Sequence, residues 1–514
     1  MKECEGLMIE LVKIAPAMTL DDYASIAYLA GAVHDLREEA ESVLPRFRGR
    51  SVLMLNSAAT GGGVAEMLPR MVLMLNELGI TANWAAMKTD RVEFFRLTKR
   101  VHNLIHGQGN PVLGPEDRDL YEAVNRSVAD ELRPHLKAGD LLVVHDPQPM
   151  AAGAMLRREL GIRAIWRCHI GLDADLPATR AAWGFLRRYG EVYDHSVFSA
   201  PEYIPDYLAG RASVIHPGID PCSHKNRDLT PHKLTGILCN AGLAKEHAPV
   251  LTPPFPQQAR RLQADGAFGP ATLPEEIGFL YRPIVAQLSR WDRLKGFRPL
   301  LAAFARMKQR LRESASLLEP RHRRRLEIIR LVLAGPDPNS IQDDPEAREE
   351  LELVCRDYCA LAPEFQKDIA VLTLPLDSRK NNELMINAIQ RCATVVVQNS
   401  IREGFGLTVT EAMWKSKPVL GTEACGIRQQ IRDGIDGRLV GNPEDPDEIA
   451  YRLEGMLSDN LERDRLGRNA QKRVYTEFLV FTQMQQALRV LAECAQAVHP
   501  DRSAAQARPA LAQL

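Results

Sequence analysis

Short apolar runs alternate with longer segments of helical periodicity along most of the chain. The runs are rich in β-branched residues, as in VVV at 395–397, which is typical of strands covered on both faces of a parallel sheet. Strands that alternate with helices predict β-α-β units, and the alternation occurs in both halves of the chain. We therefore predict an α/β protein with two doubly wound sheets in tandem.

The pattern assigns individual elements in both halves of the chain. Predicted strands cover residues 51–56, 141–145, 163–167, 195–199 and 213–216, then 284–288, 329–334, 369–374, 394–398, 418–421 and 438–440. Predicted helices cover residues 64–78, 115–136 and 177–189, then 298–313, 343–361, 382–392, 407–415 and 446–457. The first 40 residues are compatible with two further amphipathic helices.

Between residues 220 and 278 the alternation gives way to Pro- and Gly-rich sequence such as TPPFPQQ. This segment is interpreted either as a linker or as a surface insertion. The final residues lack bulky apolar groups, which favours a disordered tail. The expected domains are 1–225 (acceptor-binding, with a helical N-terminal extension), 226–282 (linker or insertion), 283–475 (nucleotide-sugar-binding), 476–498 (a helix crossing back to the first domain) and 499–514 (tail).

Composition argues against several classes of partner. The 514 residues include 65 Lys+Arg and 66 Asp+Glu, so no bulk field recruits nucleic acid or an anionic membrane. No apolar stretch approaches the roughly 20 residues of a membrane span. The nine cysteines contain no CxxC pair, as expected for free thiols in a reducing compartment. We expect a cytoplasmic protein without nucleic-acid or membrane partners.

The sharpest motif is REGFGLTVTEAMWKSKPVL, which begins at Arg402 and follows the predicted strand that ends at Gln398. Gly404 and Gly406 allow the backbone to approach a ligand, and the free N–H groups of the following helix face an anion such as a diphosphate. Glu403 and Glu411 could accept hydrogen bonds from sugar and ribose hydroxyls. Alternatively, they are solvated acids favoured by the helix dipole.

A second motif adds cations at a strand end. Arg290 and Lys295 follow the strand PIVAQLS, and Gly296 comes directly after Lys295. Two cations there would neutralise a diphosphate leaving group as a glycosidic bond breaks. Taken singly, each could equally belong to an ordinary solvated loop.

A third motif, NSAATGGGVAEM at 56–67, places Gly62 and Gly63 between a strand and a helix. It lacks the GxGxxG spacing, so a nicotinamide-dependent dehydrogenase is weakly supported, and a plain flexible turn remains an alternative. The sequence DAD, which begins at Asp173, matches a metal-binding DxD too short to exceed chance. No metal and no cofactor are expected.

These stretches, together with VEFFRLTKRVHN, VVHDPQPM, IWRCHIGLD and VIHPGIDPCSHKN, resemble the retaining family-4 glycosyltransferases. HDPQP and WRCHI are similar to the branch that contains trehalose synthases and trehalose phosphorylases. The resemblance covers about residues 52–488 and implies the GT-B fold, in which two Rossmann-like domains face each other across a cleft. Related enzymes are often dimers, so a homodimer is possible.

The resemblance also implies roles for the motif residues. Arg290 and Lys295 would bind the donor diphosphate, Glu403 the transferred glucose and Glu411 the ribose. The backbone of Gly404, Phe405, Gly406 and Leu407 would complete the phosphate cradle, and Gly62 and Gly63 would approach the donor from the first domain. Asp146 and His169 would contact the acceptor sugar, with Asp173 as a further candidate. A turn-forming Asp and a histidine satisfied by backbone are the structural alternatives for the first two.

The implied reaction is glucosyl transfer from a nucleoside diphosphate glucose, such as ADP-glucose or UDP-glucose, to glucose, with retention, giving trehalose. Three alternatives stay open: a trehalose phosphorylase, a glucosyltransferase with another small acceptor, and a catalytically silent sugar-nucleotide-binding protein.

Overall fold

The computed structural model describes residues 7–15, 17–59, 62–245, 252–313, 319–340 and 345–496. The chain divides into two compact units: the first comprises residues 1–215 and 484–514, and the second residues 216–483. The expected first boundary, after residue 225, therefore lies within the second unit. The tail expected at 499–514 lies outside the described residues.

The first unit is a mixed α/β structure. Its elements up to residue 105 are β1 (Ile9–Leu11), α1 (Leu20–Ala24), α2 (Ala30–Val43), β2 (Val52–Asn56), α3 (Gly62–Glu77), β3 (Ala82–Met87) and α4 (Val92–Ile105). They are followed by α5 (Pro115–Leu132), β4 (Leu141–His145), α6 (Met150–Leu160), β5 (Arg163–Cys168), α7 (Pro177–Gly190), β6 (His195–Phe198) and β7 (Ala212–Val214).

The sheet of the first unit has the strand order β1-β3-β2-β4-β5-β6-β7. All its neighbours pair in parallel except β1, which runs antiparallel to β3 at one edge. The strand order reverses between β2 and β4. In open α/β sheets, ligands bind beyond the carboxyl ends of the strands at such a reversal.

The second unit contains the remaining elements. These are α8 (Pro231–Asn240), β8 (Arg260–Leu262), β9 (Phe268–Pro270), β10 (Ile284–Leu288), α9 (Phe297–Glu313), α10 (Pro320–Ile328), β11 (Arg330–Pro336), α11 (Pro345–Cys359), α12 (Pro363–Gln366), β12 (Ile369–Leu374) and α13 (Arg379–Cys392). They continue with β13 (Val395–Val397), α14 (Leu407–Trp414), β14 (Val419–Thr422), α15 (Cys425–Arg428), β15 (Arg438–Val440), α16 (Pro446–Ser458), α17 (Asn460–Glu477) and α18 (Val480–Gln496).

The second sheet has the order β15-β14-β13-β10-β11-β12-β8-β9. Its six strands from β15 to β12 pair in parallel. They are completely buried in the centre, where Val285, Leu331 and Val395 have no exposed surface. The order reverses between β10 and β13, the two strands that precede the second and the first motif.

The Pro/Gly-rich segment at 226–282 is neither a bare linker nor separate from the second sheet. Strand β8 pairs antiparallel with β12, and β9 pairs antiparallel with β8, so the segment adds a hairpin to one edge of that sheet. Helix α8 begins after Thr230, whose side chain accepts a hydrogen bond from the Lys233 N–H.

Helix α18 begins in the second unit, and its residues from Met484 onward belong to the first. Within the first unit, Arg489 pairs with Glu39 at 2.5 Å, and Arg50 donates a hydrogen bond to the carbonyl of Ala495 at 2.7 Å. Leu488 is fully buried.

Candidate functional site

The candidate donor site lies in the second unit, where β10 and β13 end side by side. The loop after β10 is anchored by Trp291, which is fully buried and donates from its indole Nε1 to the carbonyl of Pro336. Asp292 accepts a hydrogen bond from the Leu294 N–H at 2.8 Å and so begins the short 3-10 turn Arg293–Lys295. The buried Trp291 ring therefore fixes the loop in place.

The two loops at this strand edge are joined through Gly296. Its φ of +62° places it in the left-handed region, and a Cβ there would overlap the carbonyl oxygen of Asn399. The Asn399 side chain donates to the Gly296 carbonyl at 3.0 Å, and Leu294 accepts from the Ile401 N–H at 2.7 Å. A glycine at this position therefore lets the second motif pack directly against the first.

An ion pair between Lys295 and Glu403 is at the centre of the site. Lys295 Nζ lies 2.6 Å from Glu403 Oε2, and the Ser400 hydroxyl donates to the same oxygen at 3.0 Å. Both side chains are largely buried, with 14% and 11% of their surfaces exposed. Residues that lie 108 positions apart in the chain thus form one charged pair at the reversal point.

Helix α14 begins at Leu407 with its N-terminus directed to this edge. Its N-cap residue is Gly406, with φ +84°, where a Cβ would come within 2.8 Å of Glu403 Cγ. Gly406 supplies no side-chain acceptor to the first turn of the helix, which favours an anion at this N-terminus. The Gln430 side chain donates to the carbonyls of Phe405 and Gly426 and thereby holds the loop from behind.

Glu411 lies one helical turn inside α14, and it is buried, with 6% of its surface exposed. Its Oε1 is 3.5 Å from Lys225 Nζ. Lys415 Nζ, also buried, donates to the Glu411 carbonyl and to the side chains of Gln390 and Asn226. Burial lowers the pKa of Lys415 to about 7, against the opposing effect of the Glu411 charge.

The remaining donor-side candidates differ in their environment. Arg290 is exposed beyond β10 and forms no ion pair with the described residues. Gly404 lies under Gly426, whose N–H donates to the Glu403 carbonyl at 3.1 Å. The Phe405 ring is buried and stacks on His216 at a centroid distance of 5.7 Å. Phe405 therefore presents only its backbone to a ligand.

In the first unit, Asp146 and His169 lie together at the ends of β4 and β5. The Asp146 carboxylate accepts a hydrogen bond from the backbone N–H of His169 at 2.8 Å, so the Asp146 side chain links the two strand ends. Asp146 has a φ of +62°, a conformation that Asp and Asn tolerate better than most residues. Burial raises the pKa of this carboxyl to about 6.

Two further polar residues, which were not among the predicted site residues, complete this cluster. His145 Nδ1 lies 3.0 Å from His169 Nε2, and the planes of the two rings are inclined by only 8°. Arg167 pairs in register with His145 on the adjacent strand and is buried, with 4% exposure. Within the described part of the chain, its Nη2 and the Nε2 of His145 have no hydrogen-bond partner. Burial, and next the Arg167 charge, hold the pKa of both histidines well below the usual value, so both rings are neutral at pH 7.

In the part of the chain that the structure describes, no contact defines a role for the other candidates of the first unit, Gly62, Gly63 and Asp173. Helix α3 begins at Gly62, and a Cβ on Gly63 would meet open space. Asp173 is exposed in the loop after β5. Among the described residues, no group of three or more His, Cys, Asp or Glu side chains could hold a metal ion. No helix of the described ranges is long and apolar enough to cross a membrane.

The fold matches that of solved glycosyltransferases. An α,α-trehalose-phosphate synthase (UDP-forming) from Burkholderia xenovorans, solved with glucose-6-phosphate, superposes with a TM-score of 0.59 over 87% of this chain and 100% of that one, at 17% identity. The family model "Glycosyl transferases group 1" matches residues 275–473, which carry both donor-side motifs. The predicted fold class, two Rossmann-like domains of the GT-B type, is therefore confirmed, and the protein is a glycosyltransferase.

Matches that include the first unit narrow the family to which the chain belongs. The family model "Trehalose synthase, N-terminal domain" matches residues 54–205. A trehalose synthase from Pyrococcus horikoshii is 32% identical over 92% of this chain and 95% of its own length. A trehalose phosphorylase from Pleurotus pulmonarius is 24% identical over 79% of this chain and 52% of its own length. The chain belongs to the trehalose synthase family of glycosyltransferases and is a hexosyltransferase.

Proposed function

We propose that the protein transfers glucose from a nucleoside diphosphate glucose to glucose, with retention, and so makes trehalose reversibly. The observation that carries the proposal is the buried Lys295–Glu403 pair beside the uncapped start of α14. A cation and helix N–H groups suit a diphosphate, and a carboxylate suits sugar hydroxyls. The trehalose synthase relatives support this choice of product.

In the proposed reaction the bond between the anomeric carbon and the diphosphate oxygen breaks, and a bond to an acceptor hydroxyl oxygen forms on the same face. The acceptor proton passes to the departing diphosphate. Lys295, Arg290 and the N–H groups of Gly404–Leu407 stabilise the charge that develops on the leaving group. Glu403 orients the transferred glucose, and Glu411 accepts from the ribose.

The acceptor side of the proposal uses the cluster of the first unit. Asp146 offers a carboxylate that accepts from a hydroxyl, and His169 offers a neutral ring at the adjacent strand end. Gly62 and Gly63 allow backbone approach at the start of α3, and Asp173 is a further acceptor contact. The cluster combines one cation, Arg167, with one carboxylate, Asp146, and this balance of charge favours an unphosphorylated acceptor.

The reaction is proposed to need no metal, since cationic side chains already face the leaving group. Activity should survive dialysis against EDTA, and full loss that Mg²⁺ or Mn²⁺ restores would contradict this part of the proposal. We also propose a cytoplasmic location, because the eight described cysteines are all free thiols.

A matrix of donors and acceptors tests the function. The purified protein is incubated with ADP-, UDP- or GDP-glucose and with glucose, glucose 6-phosphate or glycerol, and products are separated by chromatography. We expect trehalose from glucose with at least one donor. A product formed only from glucose 6-phosphate or from glycerol would show that this compound, and not glucose, is the acceptor. Tight nucleotide binding without turnover would identify a catalytically silent binding protein.

Phosphorolysis is the second candidate, and the phosphorylase relatives favour testing it. Trehalose is incubated either with a mixture of ADP, UDP and GDP or with inorganic phosphate. The proposal expects a nucleoside diphosphate glucose in the first tube. Glucose 1-phosphate in the second tube, with nothing in the first, would overturn the synthase.

A further inference from the structure

A basic cavity of about 640 Å³ lies in the second unit, away from the donor motifs. We call it the arginine cavity. Five arginines line it: Arg282, Arg321, Arg324, Arg325 and Arg463. None of the described residues that line it is acidic, in a chain whose net charge is −1.

The arginine cavity opens at the opposite edge of the sheet from the donor site. Its wall includes Pro283, which precedes β10, and Thr394, which precedes β13. The Lys295–Glu403 pair lies beyond the carboxyl ends of the same two strands. A strand of five residues spans roughly 16 Å, so one ligand of ordinary size cannot occupy both sites.

Protein acceptors satisfy only part of the charge in the cavity. Arg325 and Arg463 both donate to the carbonyl of Leu457, at the end of α16, and Arg324 lies 3.5 Å from Glu327 in solvent. The Arg321 guanidinium forms no ion pair with the described residues. Among the residues that the structure describes, the buried Nε of Arg282 has no hydrogen-bond partner.

An apolar rim accompanies the charge. Tyr281 is 62% exposed and Leu280 is 48% exposed, although both are large apolar side chains. The Arg282 guanidinium lies over the Tyr281 ring at 6.0 Å. The cavity therefore offers an exposed aromatic surface next to the Arg282 guanidinium.

We propose that the arginine cavity binds a small phosphate-bearing molecule, at a site separate from that of the donor. Guanidinium forks match phosphate oxygens, and the volume lies in the range of small-ligand pockets. The exposed Tyr281 ring would contact the organic part of the ligand. A nucleotide and a sugar phosphate share this chemistry.

Titration calorimetry with three probes tests the site: ATP, glucose 6-phosphate and inorganic phosphate. All titrations use the Lys295→Ala background, which removes the buried cation of the donor cradle and weakens binding there. Arg321→Ala is compared with Arg323→Ala, a matched control on the same helix whose guanidinium pairs with Glu327 at 3.2 Å and does not line the cavity.

We expect at least one probe to bind, with affinity that falls about tenfold in Arg321→Ala, stays within twofold in Arg323→Ala, and weakens as salt rises. Binding of ATP alone would identify a nucleotide, binding of glucose 6-phosphate a sugar phosphate, and equal binding of all three the phosphate group itself. Absence of binding by every probe, or equal weakening by both substitutions, would overturn the site. Far-UV circular dichroism confirms that both variants are folded.

Discussion

One oxygen of the Glu403 carboxylate, Oε2, is approached by both the Lys295 ammonium and the Ser400 hydroxyl. The pair holds the side chain in one orientation at the start of α14. A group positioned in this way has little entropy to lose when a sugar hydroxyl approaches. Its position next to a cation also keeps the carboxylate from repelling a diphosphate.

Glu403→Gln should lower the transfer rate roughly 100-fold or more, because a neutral amide loses both the ion pair and the charged acceptor. Steady-state product formation measures the rate, and circular dichroism reports the fold. Glu423→Gln, an exposed glutamate of the same unit, is the matched control. A Glu403 variant with near wild-type turnover would refute the proposed role.

The raised pKa of Asp146 predicts that activity toward the acceptor falls at acid pH. Its pKa of about 6 means that the carboxyl is ionised above pH 6 and neutral below it, so acceptance of a sugar hydroxyl is lost as pH falls through this value. We expect kcat/KM for the acceptor to decline below pH 6. In Asp146→Asn, which tolerates the same left-handed backbone, this decline should disappear and the acceptor KM should rise.

Arg167 provides the control for that assignment. Its charge opposes the burial that raises the Asp146 pKa, so Arg167→Met should move the acid decline to higher pH. An unchanged pH profile in both variants would show that Asp146 does not act on the acceptor.

At the level of elements, the loops after β10 and β13 act as one unit because Gly296 lets them touch. Gly296→Ala introduces both an unfavourable φ and an overlap with Asn399. We expect a loss of about 2–4 kcal/mol in the free energy of unfolding, together with weaker donor binding.

Thermal and urea unfolding measure the effect of Gly296→Ala, with Gly455→Ala as its counterpart. Gly455 lies in α16, where a Cβ would meet open space, so alanine there should stabilise the protein by about 0.5–1 kcal/mol. Equal effects of the two substitutions would contradict the close packing described for Gly296.

Strands with an apolar run and helices with a broad apolar face were predictable from the sequence. Elements that lack these patterns were not. The strands at 141–145, 284–288, 369–374 and 438–440 are confirmed with the predicted limits. Strand β3, with the sequence ANWAAM, was missed because alanine carries little strand preference. Helix α17 was missed because most of its residues are charged or polar, so its apolar face is narrow. The predicted helix at 115–136 ends at Leu132, where Pro134 stops it.

The candidate site was predictable where glycine and charge follow a strand within a few residues, as at Lys295 and Glu403. His145 and Arg167 could not be found in this way, because they lie inside strands, where the sequence indicates only burial. Their partnership depends on the register between β4 and β5, which a linear pattern does not contain. The hairpin β8-β9 was equally hidden, since its strands, RRL and FGP, consist largely of arginine, glycine and proline, which do not indicate a strand.

At the level of the whole molecule, the first unit is built from two segments separated in sequence by the entire second unit. The later segment contributes fully buried side chains, including Leu488. It therefore belongs to the core of that unit.

Leu488→Ala should destabilise the protein by about 2–5 kcal/mol, because it leaves a cavity among buried residues. Arg489→Ala, at the neighbouring position, removes only an exposed ion pair with Glu39 and should cost less than about 1 kcal/mol. Urea unfolding of both variants gives the comparison. Similar losses would mean that residues 484–496 are held by their surface charges and not by their apolar side chains.

The split first unit also has a consequence for biosynthesis. The ribosome synthesises residues 7–215 first. The residues that complete the core of this unit, from 484 onward, are synthesised only after the 268 residues from 216 to 483. At about 5–20 residues per second, this interval lasts roughly 13–54 s. During that time the nascent first unit is incomplete while the second unit is still being made, so the unit that is translated first is the last to be finished.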